Sequence, residues 1–310
     1  LYPHAPEKRK DRRSRGVKSM GVRLFIVFMR GLAYLPLPLL RAFGWLLGQV
    51  LYHLASPRRR VVRRNLSACF PSKNAAEVAA LSRQVFVYFA QSWLDRSWLW
   101  HGSEAVLQKR LRWVGDTAPL QSDRPTVIFA PHFMGLDAGF SALGLARWHG
   151  IASIYSRQLN PDVDAWVRAG RSRFGQATLV DRTDSIRVAI NAMRREQALF
   201  YLLPDMDFGP QEALFLPFFG VTTATVPSLS RFARMGGAQV LSMVSTVQRH
   251  GYNIHVSPVW ADFPSSDLLA DTRRMNAELE QLIHLYGIAQ YYWVHKRFKS
   301  RPAGEPSFYA

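Results

Sequence analysis

The sequence predicts an α/β protein with a mixed sheet covered by helices, preceded by an apolar helical membrane anchor. Three observations predict it. From residue 112 onward, short apolar runs typical of strands alternate with stretches of helical spacing. Residues 61–110 have helical periodicity throughout. Residues 24–55 are rich in Leu, Phe, Trp and Tyr.

The elements of the α/β region follow from their periodicity. Before it, apolar residues between Ala75 and Ala90 recur at spacings of three and four, which predicts a long helix. We expect strands over 126–130, 151–155, 198–203, 239–247 and 252–259. We expect helices over 162–174, 185–197, 227–235 and 266–286. A chain of 310 residues is long enough to bury a substantial core beneath such a sheet.

The chain divides into three predicted parts: a basic disordered tail over 1–20, a membrane anchor over 22–56 and a globular domain over 57–310. The apolar stretch exceeds the roughly 20 residues that span a bilayer. Two arginines and two prolines interrupt it, namely Arg30, Arg41, Pro36 and Pro38. We therefore expect one imperfect span or a broken hairpin lying in the interface. A helix pair buried against the domain is the alternative.

The composition is strongly basic, with 40 Lys and Arg residues against 22 Asp and Glu residues and a net charge of +18. Such an excess predicts an anionic partner: nucleic acid, acidic lipid or phosphorylated substrate. The basic clusters flank apolar, aromatic-rich segments, which favours an anionic membrane. No nucleic-acid-binding motif is recognisable, so we expect no nucleic acid partner. The only cysteine, Cys69, excludes an intrachain disulfide.

The most informative motif follows the first predicted strand. His132 comes directly after Pro131, and Asp137 stands five residues later. Imidazole removes a proton from a hydroxyl near neutral pH, and a carboxylate partner fixes its tautomer. The pair therefore predicts acyl transfer to an alcohol, with His132 as the general base and Asp137 orienting it. A histidine at a strand end and an aspartate capping a helix is the structural alternative.

Three arginines predict a site for an anionic substrate. Arg157 ends the second strand, and Arg171 and Arg173 follow in the next helical stretch. The planar guanidinium group suits phosphate and carboxylate. A solvent-exposed helix surface is the alternative for Arg173.

A second polar motif follows the strand 198–203. It contains Asp205, Asp207 and Gly209, which we expect at the substrate site, with Asp205 binding substrate or anchoring Arg171. Two aspartates together with His132 also raise the alternative of a metal site. Such sites usually need three or more converging ligands with a supporting shell, so we expect no metal.

Several segments form an ordered set that covers nearly all of 22–305: residues 132–137, 155–161, 170–175, 204–210, 217–225 and 291–306. This set resembles the late acyltransferases of lipid A biosynthesis, of the lauroyl/myristoyl transferase type. That family belongs to the wider group of glycerolipid acyltransferases with a His-x4-Asp motif. The resemblance implies a glycerolipid acyltransferase-like fold and makes 57–310 the acyltransferase domain.

The resemblance also implies an activity and its partners. A fatty acyl chain would pass from acyl carrier protein to a hydroxyacyl group of a Kdo-bearing lipid A precursor. The catalytic domain would lie on the cytoplasmic face of a bacterial inner membrane, and the reaction would need no cofactor. Three alternatives stay open: a lysophospholipid acyltransferase, a non-catalytic peripheral protein that binds acidic lipids, and a metal phosphohydrolase.

Overall fold

A computed structural model describes residues 11–182 and 185–310, without the side chains of 11–19. The helices are α1 Asp11–Leu32, α2 Leu37–Leu54, α3 Ser56–Cys69, α4 Ala75–His101, α5 Glu104–Arg110, α6 Ala118–Gln121, α7 Leu136–Ala146, α8 Pro161–Arg171, α9 Arg187–Arg195, α10 Ser228–Gly236 and α11 Leu268–Tyr286. The strands are β1 Leu111–Val114, β2 Thr126–Phe129, β3 Ile151–Tyr155, β4 Ala177–Asp181, β5 Leu199–Leu202, β6 Leu214–Phe218, β7 Val221–Thr225, β8 Gln239–Gln248 and β9 Gly251–Val259. A short 3₁₀ helix, Ile288–Gln290, follows α11.

Seven strands form one mixed sheet in the order β1-β9-β8-β2-β5-β3-β4. Every neighbouring pair is parallel except β8 and β9, which form an antiparallel hairpin. β5 lies between β2 and β3, although it follows both in the sequence. The segments after β2 and after β5 are therefore neighbours in space while being distant along the chain.

Helices cover both faces of this sheet. α7 and α8 connect β2 to β3 and β3 to β4, whereas α9 returns the chain from β4 to β5. Because such crossovers are right-handed, helices that move the chain in opposite directions lie on opposite faces. α4 packs against α7 and α8, and α10 packs against α9 and β2. Coverage on both sides explains why every residue of β2 and β5 is buried.

Five strands, β8, β2, β5, β3 and β4, run in the same direction. Their carboxyl ends therefore meet at one edge of the sheet. His132 follows β2 there, Asp205 follows β5, Arg157 follows β3, and Asp181 ends β4. In open α/β sheets this edge is the usual place for a ligand site.

The apolar N-terminal segment folds as two helices that pack on α4 and are separated by a turn over 33–36. Arg41, which interrupts the apolar pattern, points inward and forms a 2.6 Å ion pair with the buried Asp95. The Tyr252 hydroxyl donates to the same carboxylate at 2.6 Å. The arginine thus helps to attach α2 to the domain.

The expected form of the N-terminal region changes in two respects. Of the disordered tail over 1–20, residues 1–10 lie outside the described residues, and α1 already begins at Asp11. The turn over 33–36 divides the expected anchor over 22–56 into α1 and α2. Within 11–182 and 185–310, no helix combines the length and apolar character needed to cross a membrane.

The predicted α/β class with a mixed sheet is confirmed, and the predicted strands and helices recur with shifts of a few residues at their ends. The elements that were not predicted include the edge strands β1 and β4, the separate hairpin of β6 and β7, and the helices α6 and α7. β4 is only partly buried and contains no apolar run, and β6 contains Pro217, which a central strand would not tolerate.

Candidate active site

A cavity of about 770 Å³ opens at the carboxyl ends of β2, β5, β3 and β4. Its ionisable lining groups include His132, Arg171, Asp181 and Arg182. Apolar side chains make up much of the remaining wall, among them Phe140, Ile154, Val180, Leu202, Phe208 and Phe232. A volume of this order suits a ligand of moderate size, and the mixed wall suits an amphiphile with a charged end.

Asp205 is the carboxylate that holds the His132 imidazole. Nδ1 of His132 lies 2.8 Å from Oδ1 of Asp205, and the His132 backbone N–H donates to Oδ2 at 3.0 Å. The Tyr291 hydroxyl donates to the same Oδ2 at 3.0 Å. Because an ionised carboxylate only accepts, the proton of the neutral ring lies on Nδ1, and Nε2 is the acceptor.

Asp205 is fully buried, and burial alone would raise its pKa. The charge and hydrogen bonds of His132 outweigh burial and hold the pKa of Asp205 well below its usual range. The carboxylate is therefore ionised at neutral pH. An ionised partner stabilises the imidazolium that forms when His132 accepts a proton.

The expectation that Asp137 orients His132 is corrected by these contacts. Asp137 lies in the first turn of α7, where it meets arginines of α4 and α8 instead. Arg96 Nε lies 2.8 Å from Oδ2, and Arg171 Nε and one of its terminal nitrogens lie 3.0 and 2.9 Å from Oδ1. Both carboxylate oxygens are thus engaged by guanidinium groups.

The two arginines also set the charge of Asp137. Burial would raise its pKa, but Arg171 and Arg96 lower it to about 2. Arg171 lines the cavity, so the ion pair fixes a cation in the cavity wall. The expected link of an aspartate to Arg171 is present, but Asp137 makes it rather than Asp205.

Asp207 and Gly209 have contacts that stabilise the chain rather than line the cavity. Asp207 accepts from the Gly209 N–H at 2.9 Å, from the Ser300 N–H at 2.6 Å and from the Ser300 hydroxyl at 2.8 Å. Gly209 has a φ of +109°, in the region that favours glycine. The pair shapes the turn after β5 and ties the C-terminal segment to it, and we correct their expected placement at the substrate accordingly.

Arg157 and Arg173 occupy different places from Arg171. Arg157 pairs with Asp181 across the ends of β3 and β4 at 3.0 Å, and its side chain is 65% exposed at the rim of the cavity. Arg173 donates to the backbone carbonyls of Leu99 and Gly102 at the C-terminal end of α4, where a cation interacts favourably with the helix dipole. The structure therefore does not bring Arg173 to the cavity that contains His132.

Several site residues were not identified individually from the sequence, among them Tyr291 and Arg96. Tyr291 lies in the C-terminal segment 291–306, whose resemblance to the family was the only available signal. Arg96 lies inside the long helix α4, and its spacing there is no different from that of a surface arginine. In the part of the chain that the structure describes, no three His, Cys, Asp or Glu side chains cluster suitably for a metal ion.

The sheet and its site define a class of protein: an α/β fold in which a histidine and a buried, ionised carboxylate lie beside a cavity with mixed apolar and charged walls. Residues 7–300 match the model of a family described as bacterial lipid A biosynthesis acyltransferase. The chain belongs to that family and is an acyltransferase.

Three relatives whose names specify different acyl groups are similar to this protein. The lipid A biosynthesis palmitoleoyltransferase of Escherichia coli is 29% identical over 89% of this chain and 90% of its own length. The lauroyltransferase of the same organism is 28% identical, over 89% and 90%. The myristoyltransferase is 29% identical, over 95% and 92%. Because the three identities are nearly equal, overall similarity does not decide the acyl chain length.

Proposed function

We propose that this protein transfers a fatty acyl chain from an acyl carrier protein thioester to a lipid A precursor. The acceptor would be the hydroxyl of a hydroxyacyl group on a Kdo-bearing, phosphorylated glucosamine disaccharide. The observation that carries the proposal is the His132–Asp205 pair at a cavity with apolar walls and a fixed arginine. Family membership supports the lipid A precursor as the acceptor.

In the proposed mechanism, Nε2 of His132 accepts the proton of the acceptor hydroxyl while the oxygen attacks the thioester carbonyl. Asp205 holds Nδ1 and stabilises the imidazolium. The tetrahedral intermediate collapses by breaking the C–S bond, and the imidazolium returns the proton to the leaving thiolate. The thioester supplies the activated acyl group, so the step requires no cofactor and no metal.

Arg171 is the proposed contact for an anionic group of the acceptor, since Asp137 fixes its guanidinium in the cavity wall. Arg157, at the rim, is exposed enough to meet the headgroup or the carrier protein. The apolar wall would receive the acyl chain. Acyl carrier proteins are acidic, so the net charge of +18 favours their docking.

The proposed location is the cytoplasmic face of a bacterial inner membrane. α1 and α2 expose many large apolar side chains, including Leu24, Val27, Phe28, Phe43, Trp45 and Leu46. Contiguous exposed apolar surface marks a site of association. Basic residues flank it in sequence, which suits an anionic lipid surface. The helices would then lie in the interface as an amphipathic anchor.

The test is a transfer assay with purified full-length protein in detergent. Acyl carrier protein thioesters of several lengths are mixed with the Kdo-bearing precursor, and products are measured by mass. We expect the precursor to gain one acyl chain and His132→Ala to lower the rate about 10²–10⁴-fold. Cys69→Ala is the control, because burial raises the pKa of that thiol and leaves it unsuited to act as a nucleophile.

The outcomes separate the alternatives. Transfer to a lysophospholipid but not to the precursor would indicate the glycerolipid reaction. A folded protein that binds acidic vesicles but transfers nothing would indicate a non-catalytic membrane protein. Near-normal turnover of His132→Ala with a dead Cys69→Ala would contradict the mechanism.

A further inference from the structure

A second recess lies between α1, α4 and α8, apart from the cavity of His132. It consists of two adjoining pockets of about 350 and 340 Å³ that share Arg30, Trp100 and His101. We call it the α1–α8 groove. Arg23 and Asp162 line one pocket, and Tyr34 and Arg173 line the other.

The charge of the α1–α8 groove is mainly positive. Arg23 and Arg30 are exposed, and neither forms an ion pair with a carboxylate in the described part of the chain. The Arg173 guanidinium donates hydrogen bonds to backbone carbonyls. Among the side chains described, Asp162 is the one carboxylate that lines the groove. Cations gathered in a recess with so little counter-charge form a site for an anion.

His101 adds a donor. The Trp166 indole N–H donates to Nε2 of His101 at 3.0 Å, which leaves the proton of the neutral ring on Nδ1. Burial, then Arg30 and Arg173, lower the pKa of His101, so the ring is neutral when the groove is empty. A neutral ring with a fixed N–H adds a hydrogen bond without adding to the repulsion among the arginines.

Aromatic side chains pack closely on one another at the floor of the groove. The Trp100 and Trp166 rings meet edge to face with centroids 4.5 Å apart, and Phe25 packs on Trp166 at 5.6 Å. A Cβ at Gly170 would lie 2.2 Å from the Trp100 ring, so α8 approaches α4 as closely as it can. The cations therefore surround a recess whose floor is formed by closely packed aromatic rings.

Two neighbours of the groove indicate what would occupy it. On one side, α1 continues into the exposed apolar surface that includes Leu24, Val27 and Phe28. On the other side, Trp100 touches Arg96, whose charge lies 5.4 Å from the ring, and Arg96 pairs with the Asp137 that holds Arg171. The groove thus lies between the apolar surface and the arginines beside the catalytic cavity. A cation with tryptophan and tyrosine at that position suits the headgroup level of a membrane.

We propose that the α1–α8 groove binds the phosphate group of a lipid, with Arg23, Arg30 and the Nδ1–H of His101 as donors. The phosphate would belong to the acceptor itself while its hydroxyacyl chain reaches His132; this assignment rests on the proposed function. A phosphate diester of a surrounding phospholipid presents the same chemistry.

The test compares three double variants of the full-length protein. Arg23→Gln with Arg30→Gln removes the two charges. Arg23→Lys with Arg30→Lys keeps them. The matched control is Arg124→Gln with Arg195→Gln, two exposed arginines near the amino ends of β2 and β5, at the opposite edge of the sheet from His132.

The first measurement is transfer to the phosphorylated precursor and to the same precursor after phosphatase treatment. We expect the Gln pair to raise KM for the phosphorylated acceptor about tenfold with little change in kcat. The effect should vanish with the dephosphorylated acceptor. The Lys pair should recover most of the loss, and the control pair should behave as the unsubstituted protein.

The second measurement is sedimentation with vesicles of phosphatidylglycerol or of phosphatidylcholine. If acceptor kinetics are unchanged but the Gln pair alone binds phosphatidylglycerol vesicles about tenfold more weakly, the groove binds a phospholipid phosphate. Unchanged kinetics together with unchanged vesicle binding overturn the proposal, and so does an equal loss in the control pair. If the unsubstituted protein transfers nothing to the precursor, the proposed function fails, while the vesicle measurement still tests the groove.

Discussion

His132, the proposed base, and the two aspartates near it in sequence or in space show that separation along the chain does not determine which side chains touch. Asp137 is five residues from His132, yet its oxygens face Arg96 and Arg171. Asp205 is far along the chain and holds the imidazole at 2.8 Å. The two carboxylates therefore have separate partners: Asp205 holds the imidazole that we propose as the base, and Asp137 holds the arginine that we assign to the acceptor.

This division predicts different kinetic defects for two isosteric substitutions. Asp205→Asn keeps the shape but removes the charge that stabilises the imidazolium, so kcat should fall about 10²–10⁴-fold with little change in KM for the acceptor. Asp137→Asn should mainly loosen Arg171 and raise KM for the acceptor about tenfold. Both are measured as initial rates over a range of acceptor concentrations.

The control for the second variant is Asp137→Glu, which keeps the charge between the arginines. Asn leaves two partly buried guanidinium groups without their partner, which can cost about 3–5 kcal/mol of stability. Thermal unfolding should therefore accompany the kinetics. If Asp137→Asn instead abolishes turnover while Asp205→Asn leaves kcat unchanged, Asp137 is the partner of the base in solution.

The expected pairing of His132 with Asp137, rather than with Asp205, was wrong for a physical reason. His132 and the segment 204–210 were both identified as site residues, since each ends an apolar strand. Their pairing depends on the sheet order, in which β5 lies beside β2. Sequence order would place β3 there instead. Similarly, whether Asp137 turns toward the strand end or toward the arginines is decided by the start of α7 at Leu136, which the pattern does not fix.

At the scale of elements, the contact between α2 and α4 determines where the apolar surface lies. Gly44 and Gly48 face α4 on one side of α2, next to Gln91 and Val87. With glycines on that face the helix axes approach closely, and the large apolar residues of α2 are left on the other face. Arg41, one turn earlier, reaches Asp95 from the same contact.

A single methyl group at Gly48 should therefore disrupt this packing. A Cβ there would lie 2.5 Å from Val87 Cα, so Gly48→Ala should lower the stability by about 1–3 kcal/mol through overpacking. Gly21→Ala is the matched control, because nothing lies within 4 Å of its Cβ and alanine favours a helix by about 0.5–1 kcal/mol. Thermal unfolding in detergent measures both, and equal midpoints for the two variants would argue against the close contact.

The elements that the sequence predicted well are those with a strong apolar signal. β2, β5 and β8 are buried along almost their whole length, and each was expected within a residue or two of its observed bounds. β4 lies at the edge of the sheet, where one side of the strand pairs with nothing, so partial burial left no apolar run to detect. The apolar N-terminal stretch and the prolines that interrupt it were recognised, and a helix pair packed on the domain was the alternative. The contacts of Arg41 and the glycines that attach α2 to α4 are tertiary and leave no pattern in the sequence.

At the scale of the whole molecule, an overall positive charge is combined with exposed apolar side chains on α1 and α2. The net charge of +18 draws the protein to anionic surfaces over a distance of about a Debye length, roughly 8–10 Å in physiological salt. The exposed apolar side chains of α1 and α2 act only on contact. Charge alone would allow reversible binding to any acidic surface, whereas the apolar insertion that we propose would orient the molecule with α1, α2 and the α1–α8 groove toward the lipid.

Binding to vesicles of neutral lipid measures the contribution of apolar insertion without the contribution of charge attraction. Phe43 and Leu46 on α2 are both 56% exposed, and burying each in the interface contributes about 1.5–3 kcal/mol. Phe43→Ser with Leu46→Ser should therefore weaken sedimentation with phosphatidylcholine vesicles by about 10²-fold or more. Met235→Ser with Leu285→Ser removes two exposed apolar residues of α10 and α11 and should leave binding unchanged. Transfer to a detergent-dispersed acceptor should stay normal in both variants. If the two pairs weaken vesicle binding equally, α2 is not the element that enters the membrane.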